Sequence, residues 1–300
     1  MIIKNVYEGL AELPNGNATG GITKGCLCLE GGALRGLYTS GALDCLMEHG
    51  INLECVIGVS AGAMNGVNYV SGQIGRSARF NLAYRHYPKL IGLQALRESK
   101  SVYGFDFVFE QSKEFDPFNE ERFFHSKQRY VAVATDCETG KPAYFEKDNP
   151  DIFKAVRASA SMPFVSKMVE VDGRKCLDGG GSVHTPYQWC IDEGYEKILV
   201  IRTRPADYRK RKSDGHPAEV VYRNYPNYVQ ALQNCNADYN KECEELMRLH
   251  KQGRIFMVCP SKSIGVKRLE SNMDKLGAWY YQGYQEIEEK LPEIKDYLGI

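Results

Sequence analysis

Three short stretches of this 300-residue chain carry residue types that could do nucleophilic chemistry. The first is Gly58-Val59-Ser60-Ala61-Gly62, a G-x-S-x-G sequence. A chain with 29 glycines and 16 serines yields about 0.15 such matches by random placement, so context must decide its meaning. A serine hydroxyl is a weak nucleophile until an adjacent base takes its proton. Gly58 and Gly62 would permit the sharp strand-to-helix turn of a nucleophile elbow. The same residues read equally well as a serine capping an ordinary helix.

The second stretch is Glu30-Gly31-Gly32-Ala33-Leu34-Arg35-Gly36. Amides at such a turn face outward at a helix N-terminus and can hold an anion. A dinucleotide loop would need glycine where Ala33 stands and an acidic residue after the next strand. That strand ends in Val59-Ser60 instead, and no Lys-Ser/Thr phosphate-loop pair is present. The competing reading is an oxyanion hole, a set of N–H donors aimed at developing negative charge. The third stretch, Leu177-Asp178-Gly179-Gly180-Gly181, presents a carboxylate beside three glycines. Alone it reads as a turn.

These stretches need elements to position them. Cys26 to Glu30 is a short apolar run, then a helical pattern follows from about Gly36 to Glu48. Cys55 to Val59 is a second apolar run, followed by a small-residue helix over Ala61–Val70. Strand, helix, strand, helix predicts a parallel sheet with crossover helices. Strand patterns resume at Tyr130–Thr135 and Ala143–Phe145, with a helix over Ile152–Ala160. Asp172-Gly173 marks a hairpin within Met168–Leu177. Lys197–Thr203 and Arg254–Cys259 read as two further buried strands. Asn234–Lys251 reads as a polar helix and Asn272–Leu298 as one or two amphipathic helices. The segment 76–129 shows no clean strand and is expected as helical insertions and loops.

Composition narrows the class. Lys+Arg and Asp+Glu both number 38, so bulk attraction to nucleic acid or an anionic surface is not expected. The ten cysteines show no paired zinc spacing and sit mostly in apolar surroundings, which favours a reducing compartment. Cys26 and Cys28, two apart, would share one strand face. No metal or cofactor is implied. The N-terminus lacks a signal-peptide pattern, and no stretch approaches the ~20 apolar residues of a membrane span. The expectation is a soluble cytoplasmic protein.

Taken together and in order, Gly-Gly-Ala-Leu-Arg-Gly, Gly-Val-Ser-Ala-Gly and Asp-Gly-Gly resemble the signatures of the patatin-like phospholipase family. Thr135–Gly140 and Ala158–Pro163 match the family's style as well, and the resemblance covers roughly residues 24–205. It implies a three-layer α/β/α sandwich around a mainly parallel sheet. The expected organisation is a flexible arm at 1–22, a catalytic core at 23–205, and a strand and helices at 206–300 completing the same domain. The resemblance further implies a Ser60–Asp178 dyad without histidine. It places Gly31, Gly32, Ala33, Leu34 and Arg35 in the oxyanion loop, and Gly179 and Gly180 in the acid loop. Ala33 replaces a family glycine, which would alter the loop if the site needs a positive φ.

The implied function is hydrolysis of carboxylic ester bonds in phospholipids, lysophospholipids or related lipid esters. Two rivals stay open: a catalytically silent lipid-binding protein of the same fold, and a Ser-His-Asp esterase using His184, His216 or His250. A basic run (Arg202, Arg204, Arg209, Lys210, Arg211 and Lys212) follows a predicted strand. It would line the active-site rim and give peripheral contact with lipid phosphates or a membrane, chiefly through the last four residues. The apolar segment 87–109 would serve as an acyl-chain lid, or as plain core packing.

Overall fold

The apolar runs that flank the two glycine stretches become adjacent central strands. A computed structural model of the protein describes residues 5–111, 116–211 and 217–300. In chain order its strands and helices are β1 (Gly16–Asn17), β2 (Ile22–Leu29), α1 (Gly36–Glu48), β3 (Asn52–Val59), α2 (Ala61–Val70) and β4 (Gln73–Ile74). Next come α3 (Arg76–Tyr84), α4 (Leu93–Ser99), α5 (Glu120–His125), β5 (Arg129–Asp136), β6 (Pro142–Glu146) and α6 (Ile152–Ser159). Then follow β7 (Val169–Val171), β8 (Arg174–Asp178), α7 (Tyr187–Asp192) and β9 (Ile198–Ile201). The last elements are α8 (Pro217–Val221), α9 (Pro226–Lys251), β10 (Phe256–Val258) and α10 (Met273–Leu298). The C-terminal helical pattern forms one helix, with Pro292 inside it.

The main sheet has the order β10-β9-β2-β3-β5-β8-β7, with β6 also paired to β5. From β10 to β5 the strands are parallel, and β6, β7 and β8 are antiparallel additions. Central strands covered on both faces are apolar throughout, and alternate side chains serve opposite layers. Leu27, Leu29, Val56 and Ala132 pack with residues of α1, α2, α6 and α10. Cys26, Cys28, Cys55, Ile57, Val131 and Val133 pack with Cys190 of α7 and Leu246 and Leu249 of α9. The layers are therefore helix, sheet, helix. Cys26 and Cys28 do share a face, and all ten cysteines are free thiols.

One segment departs from expectation. The stretch 1–22 was expected as a loose arm, yet residues 5–22 are docked. Leu13 is buried, β1 pairs with β4, and the Tyr7 amide donates to the Leu82 carbonyl. Residues beyond 205 also reach into the core. β10 is an edge strand of the main sheet, and α10 lies along α1. There the Tyr280 hydroxyl donates to Asp44 at 2.9 Å, and the Tyr38 hydroxyl donates to Glu286 at 2.6 Å. No helix among the described residues is long and apolar enough to cross a membrane.

Candidate active site

Register brings the three stretches together. Leu29 of β2 lies opposite Gly58 of β3, so the loops after these strands are neighbours. Val59 lies opposite Val133 of β5, and Ala134 lies opposite Asp178 of β8. Ser60, Ala134 and Asp178 thus occupy one level across three strands, with Ser60 and Asp178 flanking the end of β5. Two strand spacings of about 4.8 Å separate the outer backbones, a gap that a serine and an aspartate side chain can bridge.

They do bridge it. Ser60 Oγ donates to Asp178 Oδ2 at 2.8 Å. The serine sits at φ 55, ψ −120 at the start of α2, a strained conformation of the kind that marks functional turns. Its amide donates to Ser159 Oγ at 2.8 Å, and that hydroxyl donates to the Val133 carbonyl at 2.5 Å. Asp178 Oδ1 accepts the Gly180 amide at 2.8 Å, within a single helical turn over Gly179–Gly181. Its main chain is held by the Ser161 carbonyl and the Thr135 hydroxyl. Ser60 and Asp178 are 7% and 8% exposed. Burial pushes the Asp178 carboxyl above the usual range, partly offset by the Gly180 N–H and the Ser60 hydroxyl, then by Arg268 and His184.

The glycine loop forms a single turn, Ala33–Arg35, ahead of α1. Of the five residues expected in the oxyanion hole, three have committed amides. Gly31 donates to the His184 carbonyl, Leu34 to the Arg268 carbonyl and Arg35 to the Gly32 carbonyl. Among the described residues, the Gly32 and Ala33 amides donate to no protein acceptor. A Cβ built on Gly31 would lie 3.2 Å from the Ser60 Cβ, so this turn lies directly beside the serine. Together with the N-terminus of α2, the two open N–H groups can receive negative charge next to the serine oxygen. Ala33 holds φ 51, so the loop takes the left-handed shape despite its side chain. Ala33→Gly should therefore raise unfolding free energy by about 0.5–1 kcal/mol, measured by urea denaturation. An unchanged or lowered value would show that the loop carries no such strain.

The histidines stand elsewhere. His184 Nε2 lies 2.5 Å from Lys210 Nζ, and its ring meets Tyr239 edge-on. His250 Nδ1 faces the Ile255 carbonyl and the Met257 amide. His216 and Lys212 lie outside the described residues. Among those described, no histidine ring is bonded to Ser60 or Asp178.

The basic run is corrected in part. Arg202 is 0% exposed. Its guanidinium donates to the Tyr239 hydroxyl and the Cys243 sulfur, with Glu30 3.8 Å away. It continues β9, its amide donating to the Val258 carbonyl, so it is carried into the protein and not onto the rim. Lys210 also turns inward, its ammonium 4.3 Å from the Tyr239 ring centroid. Burial lowers its pKa to about 8. The Arg209 guanidinium is bound to the Ala206 and Tyr208 carbonyls. Arg211 alone of the four is exposed within the described residues.

An apolar cavity opens beside Ser60, walled by Leu37, Met64, Phe80, Ile91, Tyr103 and Val108. A second cavity adjoins it past Met64, Asn68, Arg76 and Val108, and runs to Phe118, Phe153 and Val156. The segment 87–109 thus supplies a wall of this cavity, while Leu93 on its outer side is exposed. Sequence reasoning missed Ser159 as the support of the Ser60 amide, although its stretch had been noted. It also missed Arg268 and Leu269, which line the cavity mouth from a polar loop with no motif.

A family model described as patatin-like phospholipase matches residues 27–187. Another, described as a domain of unknown function (DUF6363), matches residues 225–299. The chain is similar to the uncharacterized protein YjjU of Escherichia coli K12, at 27% identity over 185 residues, 60% of this chain and 52% of that protein. It is also similar to the uncharacterized NTE family protein Rv1063c of Mycobacterium tuberculosis H37Rv, at 31% identity over 162 residues, 51% of this chain and 42% of that protein. The chain spans about half the length of these curated relatives. Among solved structures, VipD from Legionella pneumophila aligns at 13% identity and a TM-score of 0.42, over 94% of this chain and 69% of that one. The glycine loop, the serine elbow and most of the sheet fall within the first model's span, which exceeds half the sequence, and the chain belongs to the patatin-like phospholipase family.

Proposed function

We propose that the protein is a serine acyl hydrolase that cleaves carboxylic ester bonds of phospholipids, lysophospholipids or related lipid esters. The single observation that carries this reading is the 2.8 Å hydrogen bond from Ser60 Oγ to a buried Asp178 carboxylate. The two open amides of Gly32 and Ala33 and the adjoining apolar cavity support it.

In the proposed reaction Ser60 Oγ attacks the ester carbonyl carbon and passes its proton to Asp178. The C=O electron pair moves onto oxygen, beside the Gly32 and Ala33 N–H groups. Collapse of the tetrahedral intermediate breaks the bond to the alcohol oxygen, which takes the proton from Asp178 and leaves. Water then attacks the acyl-serine, Asp178 accepts its proton, and collapse returns that proton to Ser60. The acyl chain lies along the cavity walled by Leu37, Met64 and Phe80.

A fluorophosphonate probe followed by peptide mass spectrometry tests the nucleophile. The adduct is expected on the Ser60 peptide, with parallel loss of fatty-acid release from a lysophospholipid. Labelling at another serine, or full turnover by fully labelled protein, would refute the assignment.

A further inference from the structure

The cavity beside Ser60 follows one face of α2. Ser60, Ala61, Met64, Asn65 and Asn68 all line it, the spacing of a single helix stripe. Along that stripe it has a near end at the nucleophile and a far end at Asn68. From Ser60 to Asn68 the helix rises ~12 Å, which equals about nine or ten C–C bonds of an extended alkyl chain.

Met64, Asn68, Arg76 and Val108 wall both this cavity and the second one, so they form the partition between the two chambers. Its polar half is closed by a hydrogen bond from Arg76 Nη1 to Asn68 Oδ1 at 2.9 Å. Both partners are held from behind. Arg76 Nε and Nη2 donate to the Asp116 carbonyl at 3.1 and 2.8 Å, and its guanidinium lies 5.4 Å over the Phe118 ring. Asn68 Nδ2 donates to the Met64 carbonyl at 3.0 Å. Arg76 is 6% exposed. Parting the pair would leave a buried cationic donor and an amide oxygen unmatched, and an alkyl chain offers nothing to replace them.

The polar side chains nearer Ser60 are already paired. Asn65 Oδ1 accepts the Ser40 and Ser77 hydroxyls at 2.9 and 2.5 Å, and Asn65 Nδ2 donates to the Gly36 carbonyl at 2.8 Å. Asn81 Nδ2 donates to the Ser77 carbonyl at 2.9 Å. A tail lying past satisfied groups gains from apolar contact, chiefly with Leu37, Met64, Phe80 and Ile91. That favours an alkyl chain as far as the partition. Beyond it the second chamber is walled by Phe109, Phe118, Phe153 and Val156, apolar space that a longer chain reaches only by parting the pair.

We infer that the Arg76–Asn68 pair is an acyl-length stop, so that the protein selects esters of medium-chain acids, with about eight to ten acyl carbons, over long-chain ones. This rests on the ester-hydrolase reading and names its substrate class.

The test is a chain-length series of p-nitrophenyl esters. Wild-type kcat/KM should rise from butanoate to a maximum near octanoate or decanoate, then fall by about tenfold or more at tetradecanoate. Asn68→Ala should raise the tetradecanoate-to-octanoate ratio by about tenfold or more. Asn68→Asp keeps an acceptor for Arg76 and should hold that ratio close to wild type. A wild-type profile still rising at tetradecanoate overturns the stop. So does a ratio unchanged in Asn68→Ala, or one raised equally in both variants, which would mark general loosening of α2.

A second measurement needs no turnover. In Ser60→Ala protein, calorimetry with free fatty acids should show affinity rising about fourfold per methylene up to decanoate and levelling off beyond it. Adding Asn68→Ala should carry the rise on to tetradecanoate. A break near decanoate without any ester turnover upholds the stop and overturns the hydrolase reading. Ester turnover with an affinity that keeps rising past decanoate does the reverse. No binding at any chain length overturns the acyl role of the cavity itself.

Discussion

Ser60→Ala should lower ester hydrolysis by about four to six orders of magnitude, the range found when a nucleophile of a cooperating set is removed. Asp178→Asn should cost about four orders. Asparagine keeps an oxygen for the Gly180 N–H, yet it cannot take the serine proton. The two losses should not add in the double variant, because neither residue works without the other. His184→Ala and His250→Ala should stay within tenfold of wild type, since their rings face Lys210 and the Ile255 carbonyl. A fall to the Ser60→Ala background in either would replace the dyad with a triad.

The proposed dyad also predicts a pH dependence. Asp178 must be ionised to act as base, and burial raises its carboxyl above the ordinary carboxylate range of about 4. The acid limb of kcat/KM should therefore fall at a higher pH than an exposed carboxylate would give. Stability runs the other way. An acid whose folded pKa is raised contributes most below the unfolded value, and the contribution is lost as pH rises through the folded value. In that window, Asp178→Asn should flatten the fall of stability with pH.

Gly62→Ala should be strongly destabilising. A Cβ there would lie 2.5 Å from the Leu29 carbonyl oxygen and 2.9 Å from the Leu29 carbonyl carbon. At Gly58 it would meet the Gly62 carbonyl carbon at 2.5 Å and the Ala63 amide nitrogen at 2.6 Å. Both obstacles are main chain in the centre of the sheet and its covering helix, so a rotamer change cannot relieve them. Overpacking of a rigid core costs about 1–3 kcal/mol and more where backbone must move. We expect about 3 kcal/mol or more from urea unfolding, with little folded protein at 37 °C. Gly180→Ala is the internal control. Its Cβ would lie 3.1 Å from Asp178 Oδ1 and 3.8 Å from His184, so it should fold within about 1 kcal/mol of wild type. A Gly62→Ala protein with unchanged stability would refute the close-packing account.

The parts of this fold that depend on local patterns were legible. Buried apolar runs bounded by glycines located β2 and β3, and small residues after Ser60 located α2 to the residue. Asp172 and Gly173 both take positive φ in the β7–β8 hairpin, as that dipeptide suggests. The family resemblance that the three motifs carry implied Ser60 beside Asp178, and the two side chains are hydrogen-bonded. What could not be read was the direction of charged side chains. Arg202 is drawn inward by Glu30, Tyr239 and Cys243, which come from two other regions of the chain. No periodicity near Arg202 encodes those partners. Lys210 is held by His184 and Asn240 for the same reason. Arg268 gave no local signal, because its role depends on a loop from the other end of the chain.

The contact between Trp279 and Arg35 spans 244 positions, and the one between Arg268 and Leu34 spans nearly as many. Chains emerge from the ribosome N-terminal part first, at about 5–20 residues per second. Ser60 and Asp178 are thus synthesised well before the groups that fix the loop beside them. A nascent chain can assemble its nucleophile early while its oxyanion loop still lacks both anchors. Activity would then appear late, as a step that waits for Arg268 and Trp279 to emerge. Such timing would keep the proposed ester-cleaving site inert until both anchors have been made.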